Sequence, residues 1–230
     1  MRHAVRRFLS AIAVAAAIGL CGAAQPERVV RDHTVVSLRE PAAEIILPGA
    51  FRYIGADRFV LTDPSLGDFD DCELHVFVAS DDASDARAIR ALYWIQFEAY
   101  LPDHPHLQHT YDSPRHTTIG GLDFYLDTWV SAGTTTPAQG SDDAHFYTLL
   151  ASHGYRRSDL MSVRLVHLDA TRRKELMIIY SENLMQTGYT GAQLKESGKD
   201  HGKWAAIQDE LIRRAEHGIT IINRDTSRGP

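Results

Sequence analysis

Cysteine is scarce in this chain: Cys21 and Cys72 are the two that its 230 residues contain. A disulfide-stapled scaffold rests on several paired cysteines, so that class is excluded. Cys72 opens onto the alternating run Glu73-Leu74-His75-Val76-Phe77-Val78. That setting suits a buried, inert thiol at a strand edge, since no positioned base is marked beside it. Long hydrophobic runs are missing beyond residue 24. A membrane-crossing helix needs about 20 apolar residues, so no transmembrane segment is expected.

A basic stripe is missing too. The chain carries 24 Lys and Arg against 30 Asp and Glu, a formal charge of −6. Nucleic acid and anionic membrane surfaces repel such a chain, so no nucleic-acid partner is expected. A neutral or cationic ligand fits more easily. No glycine-rich phosphate loop, Gly-x-Ser-x-Gly elbow or tandem repeat occurs. Nothing therefore marks nucleotide binding, an elbow-type serine hydrolase or a solenoid.

What is present begins at the N-terminus. Arg2, Arg6 and Arg7 flank or precede an uncharged apolar run from Phe8 to Leu20, and Gly22, Ala23 and Ala24 follow it. A positive segment, a short apolar core and small residues make a secretory signal. Cleavage is expected after Ala24, leaving a periplasmic or secreted protein. Cys21 invites a lipid anchor, but Leu20 is bulky where a lipoprotein peptidase wants a small residue, so no anchor is expected. Arg6-Arg7-Phe8-Leu9 lacks the usual residue between a twin-arginine pair and its Phe-Leu, which favours the ordinary secretory route.

Past the signal, residues 25–43 read as an extended arm with a strand at Val35-Val36, residues 44–223 as a single α+β domain, and 224–230 as a polar tail. Two short β-prone runs around Gly55-Ala56-Asp57 suggest a hairpin. Asp63-Pro64-Ser65-Leu66-Gly67 is a turn cluster. Strands are expected at 74–79, 89–100, 117–130, 161–168 and 175–184, with apolar residues on both parities of 89–100 pointing to a strand covered on both faces. Ser141, Asp142 and Asp143 open a helix that Gly154 closes. Thr190-Gly191-Ala192-Gln193 reads as a capping box, and 203–217 as a second good helix. Strands in runs with late helices imply a mostly antiparallel sheet built from hairpins, with two or three helices on one face.

Leu92-Tyr-Trp-Ile-Gln-Phe-Glu98 aligns with Leu176-Met-Ile-Ile-Tyr-Ser-Glu182, and each follows another strand. The match suggests either duplication or convergence of two core hairpins. It also marks Glu98 and Glu182 as carboxylates closing largely apolar faces. Paired carboxylates in an apolar wall can split their pKa values and act as acid and base. The plain alternative is a solvated Glu, or one paired with an Arg such as Arg164.

Asp103, His104, His106, His109, Asp112 and His116 crowd one proline-stiffened loop. Imidazoles and carboxylates suit zinc or copper, yet the spacing matches no zinc signature, and a solvated loop explains it as well. No metal set or cofactor is assigned on this basis. Aromatics at Tyr93, Trp94, Phe97, Tyr100, Phe124, Tyr125 and Trp129 suit a core first and a ligand pocket second.

Together these residues describe an exported α+β binding or accessory protein for an unknown small molecule or envelope protein. Trp94, Gln96, Tyr100 and Tyr180 are its candidate ligand contacts. A hydrolase using Glu98 and Glu182 is the first alternative, and metal capture through the His104–His116 loop the second.

Overall fold

The computed structural model describes residues 26–81 and 85–224; the segment expected to be a signal, with Cys21, and the tail beyond Arg224 lie outside them. The chain forms β1 (Val29–Arg31), β2 (Thr34–Ser37), β3 (Ala43–Ile46), β4 (Arg52–Asp63), β5 (Gly67–Asp81) and β6 (Asp85–Tyr100). Then follow β7 (Arg115–Ile119), β8 (Leu122–Ser131), α1 (Asp142–Ser152), β9 (Leu160–Leu168), β10 (Lys174–Asn183), α2 (Gly191–Leu194), α3 (Trp204–Gly218) and β11 (Thr220–Asn223). Seven strands make the main antiparallel sheet in the order β4-β5-β6-β10-β9-β8-β7, and β1-β2-β3-β11 make a smaller one. The class is α+β with antiparallel sheets.

The two faces of the main sheet are covered differently. On the first, Tyr93, Ile95, Phe97, Leu176, Ile178, Val163 and Leu165 pack against Val35, Ile45 and Ile221 of the small sheet and Trp204, Leu211 and Ala215 of α3. On the second, Cys72, Leu74, Val76, Leu92, Met177 and Ile179 pack with Phe146 and Leu150 of α1. The helices thus divide between the faces rather than sharing one, as the sequence suggested. A small sheet and a long helix cover the first face well. A single 11-residue helix lying over β4 and β5 covers the second, which leaves its β8–β10 side open.

Local signals account for most elements. Ser141 accepts a hydrogen bond from the Ala144 N–H and caps α1, with Asp142 and Asp143 in the first turn. Thr190 and Gln193 form the reciprocal capping box of α2. Asp63 accepts from the Ser65 and Leu66 N–H groups and shapes the β4–β5 turn.

Gly55 differs from expectation. It sits inside one continuous β4 at φ 150°, where the register slips between Tyr53 and Gly55. A glycine in a strand interior makes a bulge as readily as a turn. The segment read as an extended arm carries β1 and β2; β1 pairs with β2, and β2 with β3.

Candidate ligand site

The antiparallel register of β6 and β10 decides which side chains share a face. Glu98 pairs with Glu175, Gln96 with Met177, Trp94 with Ile179, and Ala91 with Glu182. Directly paired residues project to the same side of a sheet. Glu98 therefore shares the second face with Trp94, Gln96, Met177 and Glu175. Glu182 sits with Tyr180 on the first face, at the far end of the pairing. Glu98 and Glu182 do not meet, so the proposed acid–base pair does not form.

Glu182 has a structural partner instead. Arg214 of α3 binds it through Nε at 2.6 Å and Nη2 at 2.9 Å, and the Tyr180 hydroxyl donates to it at 2.5 Å. This bidentate pair ties α3 to the sheet. Tyr180 belongs to that arrangement and is not brought near the other candidate ligand contacts.

Trp94, Gln96 and Tyr100 fall with Glu98 on the second face. Trp94 stacks on Phe146 of α1, with ring centres 4.5 Å apart. Its indole Nε1 donates to Gln96 Oε1 at 2.7 Å, and Gln96 Nε2 donates to Glu98 Oε1 at 2.6 Å. The chain of two bonds fixes the buried Gln96 amide and one oxygen of Glu98. Of the other aromatics singled out, Tyr93, Phe97 and Phe124 are first-face core, whereas Trp129 and Tyr125 lie on the second face.

Two adjoining hollows open where α1 stops covering this face. They share Trp94, Trp129, Asp143 and Ile179. The first is closed by Tyr147 of α1, Arg157, and Ser131, Thr135 and Pro137 from the end of β8 and the loop after it, over a floor with Ser162 and Ser181. The second runs along Asp127, Thr128, Asp142, Arg164 and Met177. Arg164 is held by Asp127 at 2.5 and 3.2 Å, and Arg157 lies 4.0 Å over the Tyr147 ring.

Beyond Arg164 and Met177 the same face ends in a cluster of carboxylates and one imidazole. Asp70, Glu98 and His109 place a ligand atom each within 4.8 Å of one another. His109 Nδ1 lies 3.3 Å from Glu175 Oε2, and the Tyr111 hydroxyl donates to Glu175 Oε1 at 3.4 Å. The Tyr100 ring stacks on His109 at 4.3 Å. Burial, with Glu98 next, raises the Asp70 carboxyl to about 8. Burial also raises Glu98 and Glu175, helped by Asp142 in the first case and by Glu98 in the second, with Arg164 opposing both. Burial lowers His109 to about 4. All four groups thus lean toward their uncharged forms.

His109 reaches the cluster because its loop is bound to the β9–β10 turn. Its N–H donates to the Arg172 carbonyl at 2.7 Å, and its own carbonyl accepts from Arg172 Nε at 2.9 Å. Arg173 donates to four carbonyls, of Tyr100, Leu101, His104 and Leu107, at 2.6–3.2 Å. The remaining histidines of the loop stay apart: His104 contacts the Asp68 carbonyl, and His116 lies against Tyr125. Asp70 and Glu175 escaped sequence reading. A trace exists for Asp70, since the apolar alternation Cys72, Leu74, Val76, Val78 runs straight back into it.

Comparison with protein-family models, with curated proteins and with solved structures finds no match.

Proposed function

We propose that this is an exported binding protein that takes a small neutral or cationic organic molecule in the cleft between α1 and the β8–β10 side of the main sheet. The observation that carries the reading is the pair of adjoining hollows floored by Trp94 and Ile179 and walled by Trp129. Small-molecule sites are concave, lined by aromatic and apolar groups, and carry a few placed polar atoms. Here Ser131, Ser162 and Ser181 supply hydroxyls, while Asp127, Asp142 and Asp143 outnumber Arg157 and Arg164. That balance favours a neutral or positive ligand over an anion. The N-terminal signal supports the exported setting.

Tryptophan emission tests the cleft directly. The three tryptophans are Trp94, Trp129 and Trp204, and Trp204 packs on the opposite face. In a Trp204→Phe background, emission reports the cleft alone. Titration with neutral oligosaccharides and alkylammonium ions should give a saturable change with at least one of them, and Trp129→Ala should abolish it. A flat response to every compound, with unchanged amide exchange along β9 and β10, would sink the reading.

A further inference from the structure

We propose that Asp70, Glu98 and His109 form a binding site for one divalent first-row transition-metal ion, zinc being the representative. The site adjoins the cleft and does not depend on what the cleft holds. Its residues arrive from three places: Asp70 on β5, Glu98 on β6 and His109 on the loop pinned by Arg172 and Arg173. Their ligand atoms lie within 4.8 Å of one another. Around an ion with bonds of about 2.0–2.2 Å, ligand atoms sit about 3–4 Å apart, so a small inward movement completes the set.

The second observation is independent of that spacing. Asp70 is 2% exposed and His109 7% exposed, and Asp70 Oδ1 and His109 Nε2 have no hydrogen-bond partner. Buried polar atoms are almost always satisfied, and an orphan pair on two residues of one cluster points to a missing group. The imidazole is already arranged as a metal ligand would be. Nδ1 faces the Glu175 carboxylate at 3.3 Å, which leaves Nε2 for the ion and sets the tautomer, as outer carboxylates do at metal-bound histidines. Glu98 uses Oε1 for Gln96, and no hydrogen bond occupies its Oε2 among those described.

Charge argues the same way. Asp70, Glu98 and Glu175 crowd together with Asp142 nearby, and Arg164 is shared with Asp127. A dication brings the positive charge that three crowded carboxylates lack. One imidazole with two carboxylates suits zinc, manganese, iron or cobalt better than magnesium or calcium, which prefer all-oxygen sets.

The test uses mature protein stripped with chelator and titrated by calorimetry with zinc chloride, and with magnesium chloride for comparison. One zinc per chain is expected, with magnesium at least ~100-fold weaker. His109→Ala and Asp70→Asn should each weaken zinc by about 100-fold or more, while the double change His104→Ala, His106→Ala leaves it intact. Because a buried substitution can unfold the chain, ring NMR signals of His109 are followed in the unaltered protein. They should shift on zinc addition, with those of His104 and His106 unmoved. Absence of zinc binding overturns the proposal. So does binding that survives Asp70→Asn with His109→Ala but disappears with His104→Ala and His106→Ala, which would be capture by the exposed loop.

Discussion

Glu73 shows how a single buried charge can serve architecture instead of chemistry. It lies on the first face of β5 and accepts hydrogen bonds from the Glu27 and Arg28 N–H groups at 2.7 and 2.8 Å, from Arg28 Nη1 at 3.2 Å and from His75 at 2.9 Å. Burial, the largest influence, pushes its carboxyl up. His75, the two N–H groups and the Arg28 guanidinium more than offset this and hold it down at about 2, against an ordinary 4.5. A pKa lower in the folded than in the unfolded state gives stability that is complete above the unfolded value. It is lost as pH falls from about 4.5 through about 2, and here amounts to about 3 kcal/mol. Urea unfolding of the protein at pH 5.5 and pH 2.5 should show this loss, and Glu73→Gln should remove that share of the difference. Equal pH dependence in both proteins would deny Glu73 the role. The contrast with Asp70 lies in the partners: Glu73 has four donors, whereas one oxygen of Asp70 has none.

At the scale of elements, the β9–β10 turn is what makes the His-rich loop a defined object. Arg173 satisfies four carbonyls of residues 100–107, so removing it leaves several carbonyls without a donor at once. Arg173→Ala should cost about 2–3 kcal/mol and raise amide exchange across 101–109, while exchange in β9 stays slow; unchanged protection of that loop would contradict the assignment.

Much of this element structure was readable from local signals. The Ser141 cap, the Thr190–Gln193 box and the β9–β10 hairpin each rest on residues a few positions apart. The candidate site was readable only in part. Glu98, Trp94, Gln96 and Tyr100 share a face by simple alternation, which a sequence displays. Which residue of β10 stands opposite Glu98 depends on register between strands 75 or more residues apart, and nothing local encodes it. The internal likeness of 92–98 and 176–182 pointed to Glu182, but antiparallel pairing carries the ends of like segments away from each other. Likewise, one histidine among several becomes significant through backbone bonds to Arg172, which no spacing rule contains.

At the scale of the molecule, the small sheet joins the two ends of the described chain. β11 pairs with β3, Ala43 standing opposite Asn223, and Arg224 adds a bond to the Ala42 carbonyl at 2.7 Å and to Glu44 at 2.6 Å. Ile221 is buried in the first-face core, and its carbonyl approaches Gly120 in the β7–β8 turn so closely that a Cβ there would lie 2.0 Å away. Ending the chain at Ile219 removes the buried Ile221 and bares the β3 edge. The expected cost is about 3 kcal/mol or more in urea unfolding, with self-association in gel filtration as unpaired edges find each other. A truncated chain as stable and as monomeric as the whole would show the pairing to be dispensable.

That pairing also sets an order of events in time. Closing β3 onto β11 brings together segments almost 180 residues apart, a contact of long range that forms slowly and late. During synthesis, the β3 edge that faces β11 stays unpaired until residues 220–223 have been made. The small sheet is thus the part of the fold that closes last, a clasp fastened after the seven-stranded sheet it covers.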